Sequence, residues 1–317
     1  MTKPTWKKGE SVATRTAYGK VLAELAKSNP KVVVLDADLS GSTKTADFAV
    51  VAPERFINVG VAEQDLMGTA AGLAQSGLTV FASTFTMFAA GRAWEIIRQS
   101  IAYPKFNVKV CPTHSGITVG EDGASHQAIE DIACMRVIPG MVVLVPADSN
   151  QTARMTEFLA DHKGPAYMRL GRANIETIFD ESFTFELGKG YILSQGTDVC
   201  LFTTGYVTKA TVDAAELLKT RGISATVVNL PSIKPIDKEM IWAQAAKHKA
   251  VFSVEEHSVI GGLGGAIAEV LAENPSAPLY RLGMQDEFGQ SGDANDLLAF
   301  YKLDAKGIAA SVVEKWS

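Results

Sequence analysis

Strand-length apolar runs, recurring with helical patterns between them, are the feature that most narrows what this chain folds into. Residues 31–37 (KVVVLDA), 78–83 (LTVFAS), 108–113 (VKVCPT), 141–148 (MVVLVPAD) and 166–170 (AYMRL) are such runs. Helical spacing fills the gaps at 11–26, 64–75, 89–102, 128–135 and 150–159. Near-continuous apolar strands separated by helices predict an α/β fold with a parallel sheet covered on both faces. A second set of runs follows at 199–205, 225–230, 250–256 and 278–283, again with helices between. The segment 172–190 lacks strong periodicity and reads as the joint. A length of 317 residues also fits two domains at about 100–200 residues each. The expected division is 1–186 and 187–317.

Composition excludes several classes. The net charge is -5 and no basic patch dominates, so neither nucleic acid nor a membrane surface is an expected partner. No run reaches the about 18 apolar residues of a membrane-crossing helix. The opening MTKPTWKKGE is basic but has no apolar stretch behind it, so no signal peptide is expected. Three cysteines, Cys111, Cys134 and Cys200, form an odd and sparse set. That predicts a reducing, cytoplasmic setting rather than a disulfide framework.

In open α/β sheets ligands sit beyond the carboxyl ends of the strands. Polar residues collect there in this sequence: Asp36 and Asp38, Glu63, Ser83 and Thr84, His114, Asp148, and Arg172. The stretch after His114, SGITVGEDGASHQ, holds three glycines, Glu121, Asp122 and His126. Glycines permit sharp turns and close approach to a ligand. Two carboxylates and two histidines on such a loop suit a site that binds hydroxyl and phosphate groups and moves protons. A solvated turn between strand and helix is the plainer reading of the loop alone.

Four strings in order, GVAEQDLMGTAAGLA, STFTMFAAGRAWE, THSGITVGEDGASHQAIED and PGMVVLVPAD, make the chain resemble the transketolase family of thiamine diphosphate enzymes. The resemblance spans nearly the whole chain and is densest between Val12 and Arg172. It corresponds to the C-terminal half of a transketolase: a pyrimidine-binding domain followed by the transketolase C-terminal domain.

The resemblance implies roles. Glu63, in a G-x-x-E motif with Gly60, would share a proton with N1′ of the aminopyrimidine and favour the tautomer that deprotonates the thiazolium. Burial raises the pKa of such a carboxyl, whereas a helix N-terminus favours its anion. Taken alone, Glu63 also fits an acid stabilised at a helix start. Phe85 and Phe88 would hold the pyrimidine, although spacing of i, i+3 also suits core packing. Gly91 stands where the family often has a further aromatic ring. Asp38, in ADLSGS, would lie near the thiazolium, or would simply form a turn after its strand. Arg15, Ser42, His114 and Arg172 would take the substrate phosphate, the arginines through their planar two-donor forks. Asp122 and His126 would contact the sugar, with His126 moving protons.

The family's G-D-G metal motif does not occur; the nearest strings are GEDG at 120 and GDAND at 292. No metal ligand is therefore expected on this chain. The cofactor's diphosphate, with Mg2+ or Ca2+, would be held by a separate N-terminal subunit, in a heterotetramer with two copies of each chain. The reaction implied is transfer of a two-carbon ketol unit from a ketose phosphate to an aldose phosphate, in the pentose phosphate pathway or a specialised sugar degradation. A 1-deoxyxylulose-5-phosphate synthase-like or 2-oxoacid dehydrogenase E1 beta-like subunit is the alternative within the superfamily. The GGLGG loop at 261 lacks the third glycine of a nucleotide fingerprint and reads as helix–strand packing. Cys111, His114, His126 and Cys134 could also be drawn as a zinc set, but their spacing fits no structural zinc pattern.

Overall fold

The computed structural model describes residues 3–316 and shows an α/β protein built on two main sheets. The first sheet has seven strands, in the order Ser232–Lys234, Val142–Leu144, Ala166–Met168, Val108–Val110, Thr79–Ser83, Val32–Asp36, Phe56–Asn58. All pairings are parallel except that of Ser232–Lys234 with Val142–Leu144. The second sheet has five strands, in the order Leu279–Met284, Ala250–Ser258, Val199–Thr203, Ala225–Asn229, Tyr191–Ser194. Only Tyr191–Ser194 runs antiparallel there. A short antiparallel pair, Ser11–Ala13 with Asn174–Glu176, ties the start of the chain to the joining segment.

The central strands are buried along their whole length, as their apolar runs require. Helices seal both faces of the first sheet. One core cluster packs Leu66, Met67, Ala70 and Ala74, which share one face of helix Glu63–Gln75, on the strands. The other packs Tyr18 and Leu22 of helix Thr14–Ser28 with Met155 and Leu159 of helix Ser149–Asp161.

Three features differ from the sequence expectation. Residues 11–13 form a strand, and the helix begins at Thr14. The joining segment contributes the strand Asn174–Glu176. The expected helix at 89–102 is wound wide at both ends, with π turns at Phe88–Arg92 and Ile97–Ala102 flanking Trp94–Ile96. Such turns mark functional sites more often than ordinary helix does.

Candidate functional site

Parallel pairing aligns the strand ends, because Asp36 stands in register with both Asn58 and Ser83. The chain then leaves the sheet along one rim, and the residues just beyond it meet. Asp36 itself is fully buried and accepts from the hydroxyls of Thr43 (2.6 Å) and Thr45 (2.9 Å), so it fastens a turn. Asp148 caps helix Ser149–Asp161 and accepts from the backbone of Ile178 and Phe179, which is also structural. These two drop out of the rim set.

Asn58 joins two of the remaining turns. Its Nδ2 donates to Asp38 Oδ1 (3.0 Å), and its Oδ1 accepts from the backbone of Asp38 (3.0 Å) and of Gly60 (2.9 Å). Asp38 has a φ of 62°, a left-handed conformation that Asp tolerates better than most residues. Gly60 has a φ of 76°, which explains the glycine of the G-x-x-E motif. Its turn delivers Glu63 to the first position of helix Glu63–Gln75. Glu63 is 3% exposed, and the hydrogen bond its side chain makes is to Arg92 Nη1, 3.3 Å from Oε2. The Arg92 side chain is 57% exposed and its guanidinium also lies 5.4 Å from the Phe88 ring centre.

Phe88 continues the chain of contacts. The rings of Phe85 and Phe88 lie 6.4 Å apart, and the His126 ring stands edge-on to both, at 6.3 and 5.5 Å. Ser125 Oγ lies 3.0 Å from His126 Nδ1. His114 stacks on Phe85 with 3.9 Å between centres. A parallel bridge between Phe85 and Thr113 sets that stacking.

At the far end of the row Arg15 Nε donates to the Arg172 carbonyl (3.2 Å) and its Nη1 to the Ser42 carbonyl (2.8 Å). Burial and the neighbouring Arg172 lower the Arg15 pKa from its usual value. Arg172 Nη1 donates to the Val119 carbonyl and to Glu121 Oε2. His114 is buried beside these cations. Desolvation first, then Arg15, Arg172 and His126, push its pKa down to about 3, so its imidazole is neutral at physiological pH. Asp122 is exposed, and its side chain makes no hydrogen bond among the described residues.

The structure therefore joins Glu63, Phe88, His126, Phe85 and His114 in one row of contacts, places Arg15, Arg172 and Ser42 together where the two cations act on His114, and ties Asp38 through Asn58 to the turn before Glu63. Sequence reasoning missed Asn58 and Arg92. Both lie beside or inside the motif strings, but only the fold shows what they touch. The GGLGG helix start holds an internal acid: Glu255 accepts from the backbone of Leu263 (2.6 Å) and Gly264 (2.8 Å). Among the described residues no three His, Cys, Asp or Glu side chains cluster as a metal requires, which leaves the zinc drawing without a site. No helix among them is long and apolar enough to cross a membrane.

Comparison with known proteins accords with this architecture. Residues 10–177 match the family model "Transketolase, pyrimidine binding domain", and residues 188–308 match "Transketolase, C-terminal domain". A Methanocaldococcus jannaschii protein described as a transketolase C-terminal section is 53% identical, over 95% of both chains. A 6-deoxy-6-sulfo-D-fructose transketolase subunit of a Clostridium species is 40% identical, over 99% of this chain and 98% of its own. A solved "Split gene transketolase, inactive beta4 tetramer" superposes with a TM-score of 0.89 at 52% identity, over 96% of this chain and 98% of its own. The chain belongs to the transketolase family, whose members use thiamine diphosphate and a divalent metal.

The residues present fit the pyrimidine end of that cofactor. Glu63 Oε1 accepts no hydrogen bond from the described residues, although the side chain is buried. A carboxylate oxygen that no protein group donates to can accept a hydrogen bond from a ligand. Nearby, Thr84 Oγ1 is fully buried without a partner at the start of the Phe85 turn. The two phenylalanines supply apolar faces for a flat heterocycle.

Proposed function

We propose that this chain is the C-terminal component of a two-subunit transketolase, with a proposed domain division of 1–186 and 187–317. The carrying observation is the row of contacts from Glu63 through Arg92, Phe88, His126 and Phe85 to His114, with Arg15 and Arg172 acting on His114 electrostatically. A proton-sharing acid, an aromatic seat and a cationic pocket stand in the order that a cofactor followed by a sugar phosphate would occupy.

Bound thiamine diphosphate supplies a nucleophilic carbon and an electron sink for two-carbon transfer. In this reading Glu63 Oε1 holds a proton against the pyrimidine N1′. Phe85 and Phe88 would seat the ring, and Asp38 would stand toward the thiazolium. His126, edge-on to both rings, moves protons at the substrate carbonyl and hydroxyl oxygens, and Asp122 binds a sugar hydroxyl. Arg15 and Arg172 bind the phosphate as cations. The neutral His114 donates one uncharged hydrogen bond, and the Ser42 region closes the pocket. The diphosphate and its Mg2+ or Ca2+ fall to an N-terminal partner subunit, two copies of each chain forming a cytoplasmic heterotetramer.

The test is reconstitution with a G-D-G-containing N-terminal subunit, followed by assay of donors. Consumption of a ketose phosphate with release of a shortened aldose phosphate is the expected result. Consumption of pyruvate instead would assign the chain to the synthase or dehydrogenase branch of the superfamily.

A further inference from the structure

The segment 116–123, which carries Glu121 and Asp122, is moulded on the second half of the chain. Its three glycines all have positive φ, at 73°, 84° and 72°. A Cβ on Gly116 would sit 2.4 Å from Glu256 Oε1, and one on Gly123 would sit 2.4 Å from Ser291 Oγ. Glu256 belongs to strand Ala250–Ser258 of the second sheet and is buried at 3% exposure. Its Oε1 accepts from the backbone of Thr118 at 2.5 Å. Its carbonyl is fixed in turn by Arg169 Nη2 (3.0 Å), whose Nε pairs with Asp131 (2.9 Å). Gln127 Nε2 also holds the segment, donating to the carbonyls of Ile117 (3.1 Å), Gly120 (3.4 Å) and Gln290 (2.9 Å).

The next residue along, Val119, offers its carbonyl to Arg172 Nη1, and Arg15 donates to the Arg172 carbonyl. Glu256 thus sits two links from the cationic pocket: one to the Thr118 backbone and one from the adjoining Val119 to the guanidinium. Burying a carboxylate beneath a loop is expensive, and an apolar side chain of the same size would pack as well. What the carboxylate adds is a directed acceptor that fixes the Ile117–Thr118 peptide, one residue before the Val119 carbonyl.

We infer that Glu256 is a positioning residue: through Thr118 and Val119 it sets the orientation of Arg172, so that the second domain tunes recognition of the substrate phosphate. The inference rests on the phosphate role proposed above for Arg15 and Arg172.

Wild-type reconstituted enzyme is assayed first. If it moves no ketol unit, the functional reading fails, and hydrogen exchange of this chain still tests the anchor. The Thr118 amide should be protected in the wild type and exchange at least about tenfold faster in Glu256→Ala. With active enzyme, Glu256→Ala should raise KM for a phosphorylated acceptor about tenfold. It should leave kcat, and KM for an unphosphorylated acceptor, within about twofold. Glu256→Gln, whose amide oxygen still accepts from Thr118, should behave as the wild type. Should Glu256→Ala not assemble, Gln127→Leu cuts the second tie to the same segment and carries the same expectation. Equal losses with both acceptors, or unchanged Thr118 exchange in Glu256→Ala, would overturn the inference.

Discussion

At Glu63, two physical readings of one residue part company. An acid at the first position of a helix gains about 0.3–1 kcal/mol from the dipole. A proton-sharing group at the cofactor contributes about 10²–10⁴-fold to rate. In the reconstituted enzyme, Glu63→Gln should therefore lower kcat by about 10²–10⁴-fold while the melting temperature moves by only a few degrees. A melting shift without a rate loss would return Glu63 to the helix-acid reading. The cationic end of the row separates by magnitude as well. A hydrogen bond from a charged group is worth about 1.5–3 kcal/mol and a neutral one about 0.5–1.5. Arg172→Ala should raise KM for phosphorylated acceptors about 10–100-fold, and His114→Asn only about 2–10-fold, because His114 is held uncharged. Steady-state kinetics with phosphorylated and unphosphorylated acceptors measure both; an unphosphorylated acceptor affected equally would remove the phosphate role. Most of these residues were legible in the sequence, because each ends a strand or sits in a motif string. The charge state of His114 was not, since it depends on Arg15 and Arg172, 99 and 58 positions away. Asn58 and Arg92 act through contacts across turns, which spacing does not encode.

Among the elements, the parallel strands were readable because burial on both faces demands continuous apolar runs. The antiparallel additions were not. Ser232–Lys234 has three residues of mixed polarity, and its place beside Val142–Leu144 depends on the path of the chain rather than on its own pattern. The wide turns at Phe88–Arg92 look like ordinary helix in sequence, yet the backbone of Ala93 bonds to Phe88 at 3.1 Å, and Arg92 reaches both Phe88 and Glu63. The middle strand of the first sheet, Val108–Val110, carries a further anomaly. Lys109 is fully buried and donates to the carbonyls of His162 (2.9 Å) and Gly164 (2.6 Å). Burial lowers its pKa from 10.5 to about 7. Between those values the unfolded chain binds a proton that the folded chain does not, so stability rises with pH across that window. One proton contributes at most about 1.4 kcal/mol per pH unit. Denaturant melts of wild type and Lys109→Met between about pH 7.5 and 9.5 should show a rising stability difference in favour of the wild type. A difference that stays flat with pH would mean that Lys109 keeps its proton in the folded protein.

For the molecule as a whole, the two sheets are locked together rather than merely adjacent. A strand from the second half completes the first sheet. Across the seam Arg169, itself paired with Asp131 of the first half, bonds to the Glu256 carbonyl, while His257 Nε2 accepts from the backbone of Ile132 (3.2 Å). In the function proposed above, the rim is one wall of a site. Val61, in the turn just before Glu63, is 74% exposed, and Arg92 stays more than half exposed over a buried acid. An apolar side chain and a loosely held guanidinium flanking a buried carboxylate are what a covering partner would be expected to close over. The sequence also offers no G-D-G motif for the diphosphate metal. The proposed function therefore gives this chain three ingredients of ketol transfer, the acid, the aromatic seat and the cationic pocket, and leaves the diphosphate grip to another subunit. Purified alone, with thiamine diphosphate and Mg2+ in excess, the chain should transfer no two-carbon unit, and addition of the N-terminal subunit should start the reaction. The rate should saturate as that subunit reaches equal molar amount, because each Glu63 needs one covering surface. Turnover by the chain on its own, at a rate that the second subunit does not change, would refute the division of labour proposed here.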